Sequence, residues 1–529
     1  MSTTQKHFNT AGPINRQLHY NIDPLHRINL NEIQFLIENQ KYFVLHAPRQ
    51  TGKTSYMLAL MEYLNQQGKY KCLYTNVESA QAARQNVRKG MREILNALAR
   101  SASLYLEDSF LADQGAQILK KIGEFGALTE ALSLWCRQSD KPIVLFIDEI
   151  DSLVGDTLIS VLRQLRSGYT MRPGAFPQTV VLCGVRDVRD YRIHSHKDKS
   201  VITGGSAFNI KAESLRLGNF SPSEIEELYL QHTTETGQRF SKDIFPLIWE
   251  LTEGQPWLVN ALAYETCFKM EDGRDRDKEI TRDIVEQAKE NLILRRDTHL
   301  DHLSDKLKEH RVRRVIQPIL TGSQKAEKIP EDDVDYVVDL GLVKKDREIR
   351  IANRIYREVI PRTITYSTQL TIHQESLWYL KEDGSLDMGK LLTAFQEFFR
   401  NHFESWVDGF DYREAGPQLL LQAFLQRIVN GGGRVEREYG LGRQRTDILV
   451  LWPYNDSIQR TVIELKLQYG SRETTIRQGL EQTHQYMDIS GAGAGYLLII
   501  NRAPKKPWKD KIFTREETFN DTPITVYGM

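Results

Sequence analysis

Residues 42–55 read YFVLHAPRQTGKTS. Tyr42 to His46 suit a buried strand, the following residues are small or polar, and Gly52-Lys53-Thr54 open a helix that runs on through Met57, Leu58 and Leu60. A strand, a tight loop and a helix start in that order predict a phosphate-binding loop. The unpaired N–H groups at the helix N-terminus favour an anion, Lys53 brings a point charge to the β- and γ-phosphate oxygens, and the Thr54 hydroxyl is a ligand for Mg2+. Pro48, Arg49, Gln50, Thr51, Gly52, Lys53, Thr54 and Ser55 are the candidate ATP-binding residues. Ala47 stands at the first loop position, where glycine is usual, and a negative φ accommodates it.

A chance strand-loop-helix containing Gly-Lys-Thr is the alternative, and a second motif weighs against it. Residues 141–151 read KPIVLFIDEID, five apolar residues followed by carboxylates. Such a run belongs to a strand buried on both faces, as in a parallel sheet, where ligands sit at the carboxyl ends of the strands. Asp148 is then placed beside the Lys53 loop to hold the Mg2+ shell with Thr54, and Glu149 to orient or deprotonate the attacking water. The bland counterpart is a strand that ends in a solvated acidic turn.

The surrounding pattern extends the α/β expectation. The strand candidates YFVLH, YKCLYTNV, PIVLFID and TVVLCGV alternate with helical stretches from about Asn31 to Asn209, which argues for a parallel sheet. Ser221-Pro222-Ser223-Glu224 is a helix start with a capping box, and helices through EIEELYLQHT, DIFPLIWELT and WLVNALAYETCFKM follow. Between Leu300 and Arg362 two short helices and the pair of runs in GLVKKDREIRIAN suggest a winged helix, or a small packing domain without any nucleic-acid role.

With 529 residues the chain exceeds what one core organises, and about three or four domains are expected. Lys+Arg and Asp+Glu both total 70, so no global basic field announces nucleic acid. The four cysteines have neither Cys-x-x-Cys nor Cys/His ligand spacing, which argues against a disulfide framework or a zinc site. The N-terminal stretch has no apolar signal-like core and no run approaches the roughly 20 residues that span a bilayer, so a soluble, cytoplasmic protein is expected.

A second constellation lies near the C-terminus. Residues 443–467, RQRTDILVLWPYNDSIQRTVIELKL, read as a hairpin with one strand starting at Asp447, a turn at Pro453 to Asp456 and a second strand from Thr461 to Leu467. Strand alternation puts Glu464 and Lys466 on one face, and folding at the turn brings Asp447 across from them. Two carboxylates and an ammonium are what metal-assisted phosphodiester hydrolysis needs: Asp447 and Glu464 as Mg2+ ligands, Lys466 to hold the water or offset developing charge. Gln482 and Tyr486, four apart on the next helix, share a face toward the same cleft, and Glu414, heading a helix to Val429, is a further candidate ligand. An ordinary amphipathic hairpin with solvated Glu464 and Lys466 is the alternative.

At these residues the chain resembles two families joined in one polypeptide. FNTAGP, HAPRQTGKTS, FIDEID, GVRDVRDYR, GQPWLVNALA, DLGLVKKD and IANRIYREVIPR resemble AAA-like ATPases of the STAND/MNS type, relatives of Orc-type initiators. Residues from about 388 onward are similar to PD-(D/E)XK nucleases of the RecB-like branch, with Thr446 where the signature has proline. The resemblance implies a P-loop ATPase core over 1–215, a helical lid over 216–299, a winged helix over 300–362, a linker over 363–387 and a nuclease domain over 388–529. It further implies that Arg186 or Arg189 acts as a sensor or arginine finger, although pairing with Asp187 and Asp190 is equally open. Gly254-Gln255-Pro256 is implied as the lid's turn toward the nucleotide. The expected function is an ATP-hydrolysing, Mg2+-dependent nuclease on DNA rather than RNA, a homo-oligomer serving antiviral defence or mobile-element control. The alternative is an ATP-switched DNA-binding protein whose nuclease-like domain is inactive and grips through lysines such as Lys505, Lys506, Lys509 and Lys511.

Overall fold

The computed structural model describes residues 5–187, 192–194, 201–203, 208–295, 298–321, 329–346, 349–364, 378–409, 416–429, 433–437, 448–455, 457–468, 470–503 and 506–529. The chain forms two units, Met1–Arg295 with Asp339–Gly341, and Arg296–Val338 with Leu342–Met529.

The first unit is built on five strands, β1 (Tyr42–His46), β2 (Lys71–Asn76), β3 (Ile143–Asp148), β4 (Thr179–Gly184) and β5 (Lys211–Arg216). Every pairing is parallel and the order is β2-β3-β4-β1-β5. Because side chains alternate, the continuous apolar runs feed two cores. Val44, Leu145, Ile147 and Leu182 join one cluster, with residues of helices α3 (Val87–Leu106), α4 (Phe110–Ile122), α5 (Ala127–Gln138) and α6 (Gly155–Ser167). Phe43, Leu45, Phe146 and Val181 join the other, with α1 (Leu30–Glu38) and α2 (Lys53–Gln66). β5 has no counterpart among the expected strands. Its sequence, KAESLR, lacks an apolar run because, among the described residues, it is an edge strand paired with β1 alone, and it is partly exposed.

After β5 come α7 (Pro222–Thr236), α8 (Ile244–Thr252) and α9 (Pro256–Tyr264), the last continuing as a π-helical turn, Glu265–Lys269, and then α10 (Arg282–Arg295). The α7 start is the capping box read from the sequence: Ser221 Oγ accepts from Glu224 N while the Glu224 carboxylate accepts from Ser221 N.

In the second unit, α11 (Thr298–Leu307), α12 (His310–Thr321) and α13 (Glu331–Asp339) precede the antiparallel hairpin β6 (Val343–Lys345) and β7 (Ile349–Ile351), and α14 (Arg354–Ile364) follows. Three helices stand before the hairpin where two were expected.

A mixed sheet then combines β8 (Arg434–Arg437), β9 (Ile448–Tyr454), β10 (Ser457–Leu467), β11 (Ala494–Ile500), β12 (Phe513–Phe519) and β13 (Thr522–Gly528) in the order β8-β9-β10-β11-β13-β12. β10 runs antiparallel to β9 and parallel to β11. Helices α15 (Met388–Gly409) and α16 (Gly416–Val429) lie before it in sequence and α17 (Arg472–Ser490) connects β10 to β11. Ile463 and Leu465 share a core with Leu391, Phe395, Leu420 and Phe424. Val462 shares the opposite one with Ile476, Leu480 and Met487 of α17. The hairpin differs in detail from its expectation: Pro453 lies within β9, and β10 starts at Ser457 rather than Thr461. Asn455, at φ 44°, adopts the left-handed conformation in the connection.

Candidate functional sites

The loop after β1 opens α2 with Gly52 in a left-handed conformation, φ 93°, and no side chain caps the helix. Its first N–H groups are thus left for another acceptor. Gln50 is also left-handed, φ 57°, while Ala47 is not among the positive-φ residues, so the departure from glycine at that position carries no strain. Lys53 is 6% exposed and folds over the loop, donating to the carbonyls of Ala47 at 2.9 Å and Pro48 at 3.0 Å. Thr51 Oγ1 donates to the Pro48 carbonyl as well. Among the described residues no carboxylate lies within ion-pair distance of Lys53, so a buried ammonium is met by neutral oxygens alone.

Asp148 ends β3 with no exposed surface. Its Oδ2 accepts from Thr54 Oγ1 at 2.9 Å and from Tyr74 OH at 3.0 Å, and its Oδ1 from the Glu149 N–H at 2.9 Å. Glu149 follows in a left-handed conformation, φ 57°. Burial raises its carboxyl above the usual range, the charges of Asp151 and Asp148 add to this, and Lys53 and Arg49 oppose it. A carboxylate shifted upward is the better proton acceptor. His46, at the end of β1, is pushed down to about 4 by burial, with Arg216 the next contributor.

Further residues surround the loop that motif spacing did not mark. Arg27 Nη1 donates to the Thr51 carbonyl at 3.3 Å and its other Nη to the Gly218 carbonyl, and its guanidinium lies 4.6 Å over the Phe220 ring. Burial lowers Arg27 to about 10. Ser55 Oγ accepts from Ile14 N at 3.0 Å, and Trp257 Nε1 donates to the Thr10 carbonyl at 2.9 Å, so the Thr10–Ile14 stretch is tethered to both α2 and α9. Gly254 has φ 74°, and a Cβ there would lie 2.0 Å from the Phe220 carbonyl oxygen, which explains the glycine of Gly254-Gln255-Pro256. Gln255 caps α9, accepting from Leu258 N.

Of the two arginines expected after β4, Arg189 lies outside the described residues. Arg186 is largely buried, with Nε 3.6 Å from Asp339 Oδ2, and Asp187 pairs with Lys211 at 2.5 Å.

The AAA-like domain model matches residues 26–360. The chain belongs to the AAA-like family. This AAA-like protein is similar in structure to a Walker-type ATPase of Pyrococcus abyssi, at 14% identity over 67% of this chain and 99% of that one, with a TM-score of 0.45. It is also similar to Cdc6p from Pyrobaculum aerophilum, at 14% identity over 65% and 93%, TM-score 0.34. The RuvB Holliday junction branch migration motor of Thermotoga maritima is a third, at 13% identity over 63% and 95%, TM-score 0.33. No curated protein matches it. No described helix is long and apolar enough to cross a membrane.

The second constellation lies beyond the matched range of the AAA-like protein. Glu464 has no exposed surface and its Oε1 is 2.6 Å from Lys466 Nζ, so these two do share a face of β10. That is the face of Val462, packed by α17. α17 carries Gln482, whose Oε1 is buried with no hydrogen-bond partner among the described residues, and Tyr486, packed at the edge of the same core. Asp447 and Glu414 lie outside the described residues, as does Lys505. Among the described residues no group of three His, Cys, Asp or Glu side chains stands ready to hold a metal. Lys511 is buried, its ammonium 4.9 Å over the Trp508 ring, so this lysine is packed rather than presented to solvent.

Proposed function

We propose that the AAA-like module binds and hydrolyses ATP with Mg2+, and that the C-terminal region is a Mg2+-dependent nuclease governed by the nucleotide state. The observation that carries the first half is Lys53, a buried cation at an uncapped helix N-terminus without a carboxylate partner among the described residues. Burying an ammonium is costly unless an anion completes the site, and a phosphate chain is the anion that this loop geometry suits. The residues fit Mg2+ as well: the Thr54 hydroxyl and Asp148 carboxylate already touch, and both are hard oxygen donors. Bound there, Mg2+ neutralises charge on the phosphates. Pro48 to Ser55 bind, Lys53 offsets phosphate charge, Asp148 holds the metal's water, and Glu149 takes the proton of the attacking water at its raised carboxylate.

Support for the second half is the Glu464–Lys466 pair on the α17 face of β10, with Gln482 of α17 carrying a buried oxygen that has no hydrogen-bond partner among the described residues. Asp447 immediately precedes Ile448, which pairs with Ile463, the residue before Glu464. Asp447 and Glu464, with Glu414 as a further donor, are proposed to hold the metal, while Lys466 offsets charge on the scissile phosphate and Gln482 and Tyr486 position it. DNA is favoured over RNA as the substrate, a homo-oligomer is expected, with Arg186 or Arg189 serving as a sensor or arginine finger, and the setting is cytoplasmic antiviral defence or mobile-element control. The division given above, four domains with a linker over 363–387, is retained as part of this proposal.

A cleavage panel over plasmid, linear duplex, single strands and RNA, with and without ATP and Mg2+, tests both halves. Lys53→Ala is expected to abolish ATP turnover, and Asp447→Ala to abolish cleavage while leaving ATP turnover intact. Cleavage by Asp447→Ala at the wild-type rate sinks the nuclease half, and undiminished turnover by Lys53→Ala sinks the ATPase half.

A further inference from the structure

Tyr74 lies on β2, whose register with β3 sets Tyr74 opposite Phe146 and Asn76 opposite Asp148. Tyr74 and Asp148 are thus diagonal neighbours on one face, separated by a distance that a phenol ring spans. The ring is 7% exposed and belongs to the apolar core of that face, where a phenylalanine would serve packing alone. It packs edge-on to Tyr105 at 6.3 Å. What the hydroxyl adds is the 3.0 Å bond to Asp148 Oδ2.

A carboxylate offers about four acceptor positions. At Asp148 one is taken by Glu149 N–H, one by Thr54 Oγ1 and one by Tyr74 OH. The Cys183 thiol also faces this carboxylate, whose charge adds to burial in raising the thiol. All the hydrogen-bonded donors are neutral, and they restrain its rotation from the next residue, a neighbouring strand and a helix.

We propose that Tyr74 is a positioning residue of the nucleotide site, holding Asp148 in the orientation that presents its remaining acceptor position to a Mg2+-bound water. The inference rests on the Mg2+-dependent ATPase proposed above. Partners that orient metal-holding groups in this way are worth about 10- to 100-fold in metal affinity.

Calorimetric titration of ADP into the full-length protein, once with MgCl2 and once with EDTA, reads the effect without turnover. Wild type is expected to bind ADP more tightly with Mg2+. Tyr74→Phe, which keeps the ring and its packing, is expected to lose about 10-fold of that gain and to bind ADP in EDTA as wild type does. Added to Asp148→Asn, the same change is expected to do nothing further, because the group it acts through is gone. An unchanged gain overturns the proposal, with or without a lowered melting temperature. So does an equal loss in MgCl2 and EDTA, or an undiminished effect in the Asp148→Asn background, because each marks a purely structural hydroxyl. Wild-type protein that binds no ADP in either condition overturns the nucleotide-site proposal itself.

Discussion

Asp148 in the first unit and Glu464 in the second are both carboxylates without exposed surface, and they are held by different means. Asp148 is surrounded by hydroxyls and a backbone N–H. Glu464 is locked to an ammonium at 2.6 Å. Dipoles restrain a carboxylate without cancelling its charge, whereas an adjacent cation cancels much of it. Under the proposed function, the first arrangement leaves a carboxylate without a bonded cation beside the nucleotide, and proton transfer falls to the neighbouring Glu149. The second couples acid and cation so that removing either one disturbs both.

The largest effect that separates the two falls on the division of labour in the first unit. Glu149→Gln is expected to lower ATP turnover by about 10²- to 10⁴-fold, the usual contribution of a positioned base, while nucleotide affinity is preserved. Single-turnover hydrolysis alongside a binding measurement checks this, and full turnover would break the comparison at its catalytic end.

Acid should next separate the units. His19, His46 and His232, all in the first unit, are held below the usual imidazole value chiefly by burial, His46 to about 4. These rings stay neutral in the fold while the unfolded chain takes up protons below about 6.5, so their contribution is complete above pH 6.5 and declines as pH falls toward 4. For His46 the full shift corresponds to roughly 3 kcal/mol at about 1.4 kcal/mol per unit. Hydrogen exchange at pH 7 and pH 5 should therefore show β1 and β3 losing protection before β10 and β11. Equal loss in both sheets contradicts the assignment.

The smallest effect concerns how the two acids are held. Lys466→Met leaves Glu464 buried without its cation and is expected to cost the second unit about 2 kcal/mol, below the value for a fully enclosed pair because Lys466 retains some solvent contact. Thr54→Val removes one neutral donor from Asp148 and is expected to cost the first unit about 1 kcal/mol. Denaturant unfolding followed by hydrogen exchange in each unit would sharpen the comparison, and a larger cost for Thr54→Val would reverse it.

The two sites were unequally legible. Lys53, Thr54 and Asp148 were marked because their chemistry needs fixed residue types at fixed places on a strand end and a helix start. Glu464 and Lys466 were placed together by strand alternation alone. Tyr74 and Arg27 carry no such signature: one lies in a strand 74 residues before the acid it touches, the other ahead of β1, and a tyrosine in an apolar strand passes for core. β5 was missed because an edge strand need not be apolar, and the helices before β6 were undercounted because Lys308-Glu309, between α11 and α12, carries no glycine or proline stop signal.

Sequence by itself determined the phosphate loop, the buried acidic strand end, the α7 capping box and the shared face of Glu464 and Lys466, since each follows from local periodicity or from backbone needs within a few residues. Only the tertiary structure decided that β1 lies between β4 and β5, that Tyr74 reaches Asp148 and that the Thr10–Ile14 stretch is tied to α2 and α9. Those contacts join residues far apart along the chain, and they are fixed by how sheets and helices pack rather than by any pattern that neighbouring residues record.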